Sequence, residues 1–212
     1  MSADGQSVFI GGEYYYLNGT PRNCIGRVDA TTGALHSWAV PFTQIIDDAQ
    51  THKPGPNMLW AILVTPTRVY GGFGRVPNFL QAFRLDNGNS GDTVPGSKIN
   101  TPGNVESLAL SPDGTRLLAG GHFGTAMLDF SACGTWIHGL MNVSPATGAI
   151  NCDWLPTIKP FGGSSAPGSH VDPPNYIGGW TMLVDGSFLW LGGYFTSLAG
   201  APQSGIARYT LA

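Results

Sequence analysis

The two ends of this chain of 212 residues carry the same sequence pattern. Residues 4–19 read DGQSVFIGGEYYYLNG, and residues 185–200 read DGSFLWLGGYFTSLAG. One offset of 181 positions aligns the two segments without a gap and goes on to pair Arg27 with Arg208. An internal repeat of this kind predicts an array of one supersecondary unit, in which neighbouring copies bury each other's apolar faces.

Two weaker copies lie between the ends: residues 111–123, SPDGTRLLAGGHF, match the first half of the pattern, and residues 67–73, TRVYGGF, match its centre. Each of the four units then has one Gly-Gly pair at an equivalent position: Gly11 and Gly12, Gly71 and Gly72, Gly120 and Gly121, Gly192 and Gly193. A backbone without Cβ permits a turn, a bulge or close packing, so we predict that these pairs are structural turns and not phosphate-binding loops.

The pattern within a unit indicates short strands. Apolar runs such as 58–64 and 105–110 form a first strand, a, and the run that ends in Gly-Gly forms strand b. Strand c follows, as at 24–29, and a Thr-Gly turn then leads to a fourth run, d, that ends in Trp38 or Trp154. Four strands per unit is the blade of a β-propeller.

The fold class predicted is therefore all-β, a β-propeller of about four blades. We expect a single domain, 1–212, with units at residues 2–41, 57–96, 103–157 and 177–212. Composition agrees, because 31 Gly and 16 Pro with only 11% charged residues indicate many tight turns.

The two ends carry incomplete blades, with strands b-c-d at the N-terminus and a-b-c at the C-terminus. Each end has its own strands b and c, so the two pieces are not halves of one blade. Three arrangements remain open: a small ring with three-stranded end blades, an arc closed by another chain, or a segment of a longer propeller.

Charge and hydropathy exclude two classes of partner. A net charge of −3 with ten Lys and Arg gives no basic surface for nucleic acid. The longest apolar runs are far shorter than the roughly 20 residues that span a bilayer, so no membrane insertion is expected. The first residues, MSADG, have no basic or apolar region of a signal peptide.

The repeated pattern resembles a bacterial family of extracellular β-propeller repeats, the delta-60 or domain-of-unknown-function type. Residues 185–208 carry its Asp-Gly, Gly-Gly, Phe-Thr and Ile-Ala-Arg elements, and residues 4–38 carry the pattern with Tyr14-Tyr15 in place of Phe-Thr. Residues 111–156 are similar to the version in secreted actinobacterial proteins and in phage tail proteins. The resemblance implies an extracellular or virion location and no family-wide catalytic residues.

Tyrosines are the candidate binding residues. Side chains alternate along a strand, so Tyr14, Tyr15 and Tyr16 cannot all face a core, and at least one is exposed or packs on a neighbour. Together with Tyr194 they suit stacking on a sugar or contact with a protein, although packing between blades is an equally good interpretation. The loops 51–56 and 162–176 are long enough to serve in binding or assembly.

Three cysteines leave at least one thiol unpaired. The third unit has a six-residue insertion that contains Cys133, and Cys152 follows on the next strand. A disulfide between these two is the hypothesis if the protein is extracellular, with Cys24 then a buried free thiol.

No cofactor or metal site is predicted. The five histidines show no paired ligand spacing, and the loop 86–92, DNGNSGD, lacks the bidentate Glu of a calcium loop. Serine hydrolase motifs are absent, and Asp47, Asp48, Glu106 and Asp172 form a glycosidase pair only if folding brings two of them together.

The sequence thus favours a non-enzymatic binding or structural module that presents loops and aromatic residues to a protein partner or a surface glycan. An oligomer or larger assembly, such as a phage tail component, is compatible with this hypothesis. The alternative is a secreted enzyme that acts on polysaccharide through a carboxylate pair on the propeller face.

Overall fold

The structure is a computed structural model of the chain. It describes residues 1–41, 46–47, 54–55, 58–74, 78–86, 88, 90–123, 131–156, 158–159 and 178–211. Within these residues the chain is all-β and has no helix, which confirms the predicted class.

Strands of two to eight residues follow one another along the chain. In the first half they are β1 Ser7–Gly11, β2 Tyr16–Leu17, β3 Thr20–Pro21, β4 Ile25–Asp29, β5 Ile46–Asp47, β6 Pro54–Gly55, β7 Met58–Val64, β8 Arg68–Gly74, β9 Asn78–Arg84 and β10 Ile99–Thr101. In the second half they are β11 Val105–Leu110, β12 Leu117–Gly121, β13 Ser131–Ala132, β14 Thr135–Trp136, β15 Leu140–Val143, β16 Ile158–Lys159, β17 Gly178–Asp185, β18 Phe188–Tyr194, β19 Ser197–Leu198, β20 Ala201–Pro202 and β21 Ile206–Thr210.

The longer strands form four antiparallel sheets, one for each repeat unit. Sheet 1 pairs β1 with β4, sheet 2 has the order β7-β8-β9-β10, sheet 3 has β11-β12-β15 and sheet 4 has β17-β18-β21. The predicted strands a at 58–64 and 105–110 coincide with β7 and β11. Strand d is reduced to single bridges in sheets 1 and 3, where Val28 pairs with Leu35 and Val143 with Ile150.

Three apolar clusters join the sheets in sequence order. Phe9, Ile25 and Trp38 of the first unit pack against Leu59 and other residues of sheet 2. A second cluster lies between sheets 2 and 3, and a third lies between sheets 3 and 4. None of the three joins sheet 4 to sheet 1, so within the described residues the sheets form an open series and not a closed ring.

Small hairpins follow strand b in three units. Strands β2-β3, β13-β14 and β19-β20 each enclose two residues with positive φ: Asn18 and Gly19, Cys133 and Gly134, Ala199 and Gly200. Two successive positive φ angles define the tight turn that matches the twist of a hairpin. The hairpin β13-β14 has its counterparts in the other two units, so the six extra residues of the third unit lie ahead of it. The prediction that this insertion contains Cys133 is therefore wrong, because Cys133 is the counterpart of Asn18 and Ala199.

The Gly-Gly pairs lie in strands, so their prediction as turns is wrong except at Gly12, which follows β1 directly. Gly71 and Gly72 are in β8, Gly120 and Gly121 in β12, and Gly192 and Gly193 in β18. The interpretation as sites of close packing accounts for them better. A Cβ on Gly72 would lie 2.6 Å from the carbonyl oxygen of Val105, on strand a of the next sheet.

The equivalence assumed for the second pair is also wrong by one residue. Gly72 pairs with Ala61, as Gly120 pairs with Ser107 and Gly192 with Thr181. Gly71 therefore occupies the place of Ala119, and Phe73 occupies that of Gly121. The Gly-Gly letters do not show this shift of one residue, because the pairing register depends on the neighbouring strand.

Strand β10 follows the predicted second unit, 57–96, and completes sheet 2 by pairing with β9. Of the two long loops, 162–176 lies outside the described residues. In 51–56 only residues 54 and 55 are described, as part of the β5-β6 hairpin.

Candidate functional site

A β-bulge recurs at one position in three consecutive sheets. On the first strand of sheets 2, 3 and 4, the pairing register shifts by one residue around Trp60, Glu106 and Trp180. A bulge leaves its extra residue unpaired and redirects the side chain, and it is common beside functional sites. We call these three residues the bulge row.

The bulge row runs across adjacent strands. Strand β11 packs beside both β7 and β17, so Glu106 lies between the two tryptophans in strand order. Trp60 is 49% exposed and Trp180 is 43% exposed. Exposed indole rings on a rigid sheet leave flat apolar surface available to a ligand.

Each bulge residue touches the residue that ends or follows strand b of its own sheet. In sheet 2 that residue is Gly74, and its missing Cβ leaves space for the Trp60 indole nitrogen and for Asn104 Oδ1. In sheet 4 the Trp180 ring stacks on Tyr194, with centroids 6.3 Å apart and planes 16° apart.

In sheet 3 the same contact is polar. His122 Nδ1 lies 2.9 Å from Glu106 Oε1, and the two side chains are 22% and 12% exposed. The His122 backbone N–H donates to the Asn104 carbonyl over 2.9 Å, which fixes the ring beside the bulge. His122 Nε2 is buried and has no hydrogen-bond partner among the described residues. The site thus has aromatic surface at its two ends and a carboxylate–imidazole pair at its centre.

Sequence reasoning missed Trp60 and Trp180 as site residues and considered Glu106 only as one of four scattered carboxylates. A bulge has no sequence signature of its own here, because the three residues share no chemistry. A signal is present once the register is known. The residue after each bulge pairs with a glycine of strand b, and the bulge residue lies 12 or 14 positions before that glycine in the sequence.

The predicted tyrosines separate into different roles. Tyr14 is half-buried, and its hydroxyl donates to the Ile10 carbonyl over 2.8 Å; burial raises the pKa of this phenol. Tyr15 and Tyr16 are 40% and 65% exposed on the first unit. Only Tyr194 lies in the bulge-row site, where it supports Trp180.

Cys133 and Cys152 form a disulfide in the structure, with Cα atoms 5.6 Å apart. The bond ties the turn of the β13-β14 hairpin to the segment that follows the bridge of Ile150. Cys24 is a buried free thiol, and burial raises its pKa to about 12.

No group of three or more potential metal ligands occurs among the described residues. Asp86 of the loop 86–92 pairs with Arg84, with Nε and Oδ1 2.9 Å apart, while Asn87 and Asn89 lie outside the described part. Burial and nearby Arg27 lower the pKa of His36.

Of the four carboxylates considered for a glycosidase pair, Glu106 alone is described with its side chain. Asp48 and Asp172 fall outside the described residues, and only the backbone of Asp47 is given.

Comparison with known proteins gives no family. No protein-family model matches the sequence, and no curated protein matches it. In the described part of the chain, no helix has the length and apolar character needed to cross a membrane.

The solved structures that resemble the chain include two designed proteins and one natural extracellular domain. The computationally designed Ika4 protein shares 12% identity, with coverage of 98% of this chain and 86% of Ika4 and a TM-score of 0.46. The extracellular domain of a hybrid two-component system from B. thetaiotaomicron shares 17% identity, with coverage of 94% and 26% and a TM-score of 0.47. The designed Ika8 protein shares 8%, with coverage of 93% and 57% and a TM-score of 0.36. At these scores the likenesses assign neither a family nor an activity.

Proposed function

We propose that this chain is a non-enzymatic, extracellular carbohydrate-binding module, built as an open arc of four β-propeller blades. The observation that carries the proposal is the bulge row. Three consecutive sheets direct Trp60, Glu106 and Trp180 from the same bulge position, and both tryptophans are exposed.

The propeller architecture is supported by how the units pack. Each unit forms its own antiparallel sheet, and each sheet buries one face against the next in chain order. The approach is closest where a glycine of strand b meets the first strand of the following sheet, as at Gly72 with Val105 and Gly120 with Gly179. Repetition of one contact between successive units is expected of blades arranged about an axis.

The chemistry of the bulge row suits a sugar. Indole faces bury the C–H surface of a pyranose ring, and polar groups nearby accept or donate to its hydroxyls and fix its orientation. The Glu106–His122 pair lies between the two aromatic positions, and Asn104 lies beside Trp60. A linear oligosaccharide that stacks on both tryptophans and bonds to the central pair is the ligand that this order of groups fits.

The disulfide supports an extracellular or virion setting, because such bonds persist in oxidising compartments. The resemblance of the repeats to secreted and phage tail propellers points to the same location. Membership of that repeat family remains part of this proposal.

The test is calorimetric titration of the purified protein with soluble cello-, chito-, xylo- and malto-hexaose. We expect at least one to bind, and we expect Trp60→Ala and Trp180→Ala each to weaken it about tenfold or more, which is about 1.4 kcal/mol per factor of ten. Trp190→Ala is the matched control, because Trp190 is 39% exposed but is regularly paired with Leu183 and Arg208 in sheet 4 and is not a bulge residue.

Two results would overturn the proposal: no binding of any of the four sugars, or equal loss of affinity in the Trp190→Ala control. Tyr15→Ala and Tyr16→Ala in the same series separate the bulge row from the tyrosines predicted by sequence. Release of reducing ends from the sugar that binds, abolished by Glu106→Gln, would favour the polysaccharide-active enzyme over the binding module.

A further inference from the structure

One face of sheet 4 exposes large apolar side chains at positions whose equivalents in the other three sheets are buried. Leu183 is 62% exposed, Trp190 is 39% exposed and Ile206 is 64% exposed. Leu183 pairs with Trp190 across β17 and β18, and Ile206 lies on the neighbouring β21. The three form one surface, which we call the outer face of sheet 4.

The repeat register identifies the equivalent residues in the other sheets. Ile206 pairs with Gly192 of strand b. In the other three sheets the residue that pairs with the equivalent glycine is buried, with an exposed fraction of 0%, 1% and 1%: Ile25, Leu80 and Leu140. The counterparts of Trp190 are exposed by 7%, 4% and 0%: Phe9, Tyr70 and Leu118. In sheets 1, 2 and 3 this position is therefore an interface with the next sheet.

The side chains that cover those interfaces come from strands a, b and c of the following sheet, and sheet 1 has the last two of these strands. Between sheets 3 and 4 they include Leu189 and Leu191, which are both 0% exposed. The offset of 181 positions makes Val8 and Ile10 of sheet 1 their equivalents. No sheet precedes sheet 1 in the described chain, and both residues are only half-buried.

The two ends of the open series are thus complementary. Sheet 4 carries the surface that receives a following sheet, and sheet 1 carries the surface that packs on a preceding one. We propose that the outer face of sheet 4 binds sheet 1 of a second copy of this chain, head to tail. This inference is argued from the packing of the sheets and does not rest on the proposed sugar site.

The charge on the outer face fits such an interface. The Arg208 guanidinium lies 5.7 Å from the Trp190 ring centroid, as the Arg27 guanidinium lies 5.7 Å from the Phe9 ring centroid. Phe9 is buried between sheets 1 and 2 with Arg27 beside it, so an arginine in this position is compatible with burial of the aromatic ring. A contact between two different surfaces can repeat, so it generates a closed ring or a filament.

The experiment is light scattering of the whole chain over a range of concentrations. We expect masses above the 22.3 kDa monomer and a return to the monomer in Leu183→Asp and Ile206→Asp. Both residues are exposed in the single chain, so folding of the variants is expected and is checked by circular dichroism. Ala146→Asp is the control, because Ala146 is exposed in the turn that follows β15 of sheet 3 and so lies at neither end of the series.

A mixing experiment tests the direction of the contact. An Ile206→Asp chain keeps sheet 1 intact, so a tagged copy in excess should cap wild-type assemblies, co-migrate with them and shorten them. A wild-type chain that stays monomeric at all concentrations overturns the proposal, and so does a tagged variant that never joins the wild type, because sheet 4 would then pair with itself.

Discussion

At the scale of single residues, the repeat shows where this chain departs from its own pattern. Cys24 has a φ of 60°, and the equivalent positions in units 3 and 4 are Gly139 and Gly205, with φ of 62° and 75°. Left-handed backbone is costly for a residue with a Cβ, and it persists where the surroundings fix it. Cys24 is fully buried among Phe9, Trp38 and other residues of the first cluster, which holds it there.

The three cysteines give a prediction that separates their roles. We expect no thiol to react with Ellman's reagent in the native protein at neutral pH, because Cys24 is buried and its pKa of about 12 keeps it protonated. In guanidinium without reductant one thiol should react, and after reduction three should react. Three reactive thiols before reduction would show that Cys133 and Cys152 are not bonded.

At the scale of elements, one turn recurs with its hydrogen bonds. In the Ser-x-Asp-Gly sequence before β12, the Ser111 hydroxyl donates to Asp113 Oδ1 over 2.5 Å and the Thr115 N–H donates to it over 3.0 Å. The turn before β1 repeats this with Ser2 and Asp4 at 2.6 Å. These donors favour the ionised carboxylate, because each bond is stronger to a charged acceptor.

The hydrogen bonds of this turn predict that the protein becomes less stable in acid. The Ser111 hydroxyl bond and the Thr115 bonds lower the pKa of Asp113 from 3.8 to about 2. A carboxyl with a lowered folded pKa stabilises the protein fully above its unfolded pKa, and this stability is lost as pH falls from about 4 through 2. The thermal midpoint should therefore fall over that window.

Ser111→Ala is the variant that isolates this turn. Without the hydroxyl donor the folded pKa of Asp113 rises towards its ordinary value, so the fall in midpoint below pH 4 should be smaller than in wild type. The carboxyl resonance of Asp113 in an NMR titration gives its pKa directly. An unchanged Asp113 titration in the variant would contradict the explanation.

At the scale of the whole molecule, stability rests on the interfaces between successive sheets, of which the described residues form three. Each cluster combines residues from two units, so no sheet has a complete core of its own. The interfaces need small residues in strand b, because the following sheet comes too close for a Cβ at positions such as Gly72 and Gly120. Such repeats depend on their nearest neighbours for stability.

Two glycine substitutions test this arrangement. Gly72→Ala should lower the free energy of unfolding by about 1–3 kcal/mol, because the new methyl group would meet the Val105 carbonyl at 2.6 Å. Gly12→Ala should change it by no more than about 0.5 kcal/mol, since the nearest atom is on the Tyr14 ring at 3.6 Å. Equal effects in urea unfolding would mean that the sheets do not approach at Gly72.

Much of the fold could be predicted from the sequence, because apolar runs and turn residues are local signals. The runs at 58–64 and 105–110 gave the bounds of β7 and β11, and the offset of 181 positions remains in register through sheets 1 and 4. The site was not predictable in the same way. Tyr14 is an aromatic residue in a row of tyrosines, which predicts exposure, yet it is half-buried and bonded to Ile10; Trp60 lies inside an apolar run, which carries no signal of exposure.

By itself the sequence determined that the chain is all-β, that it consists of four related units, and where the first strands of two of them, β7 and β11, begin and end. Only the tertiary structure decided which residues correspond between units and which surfaces remain open. The reason is physical: a strand's pairing partner fixes its register, so the bulge that turns Trp60, Glu106 and Trp180 outward exists only between paired strands. Likewise, the exposure of Ile206 depends on what packs against sheet 4, and its buried counterpart Ile25 has the same side chain.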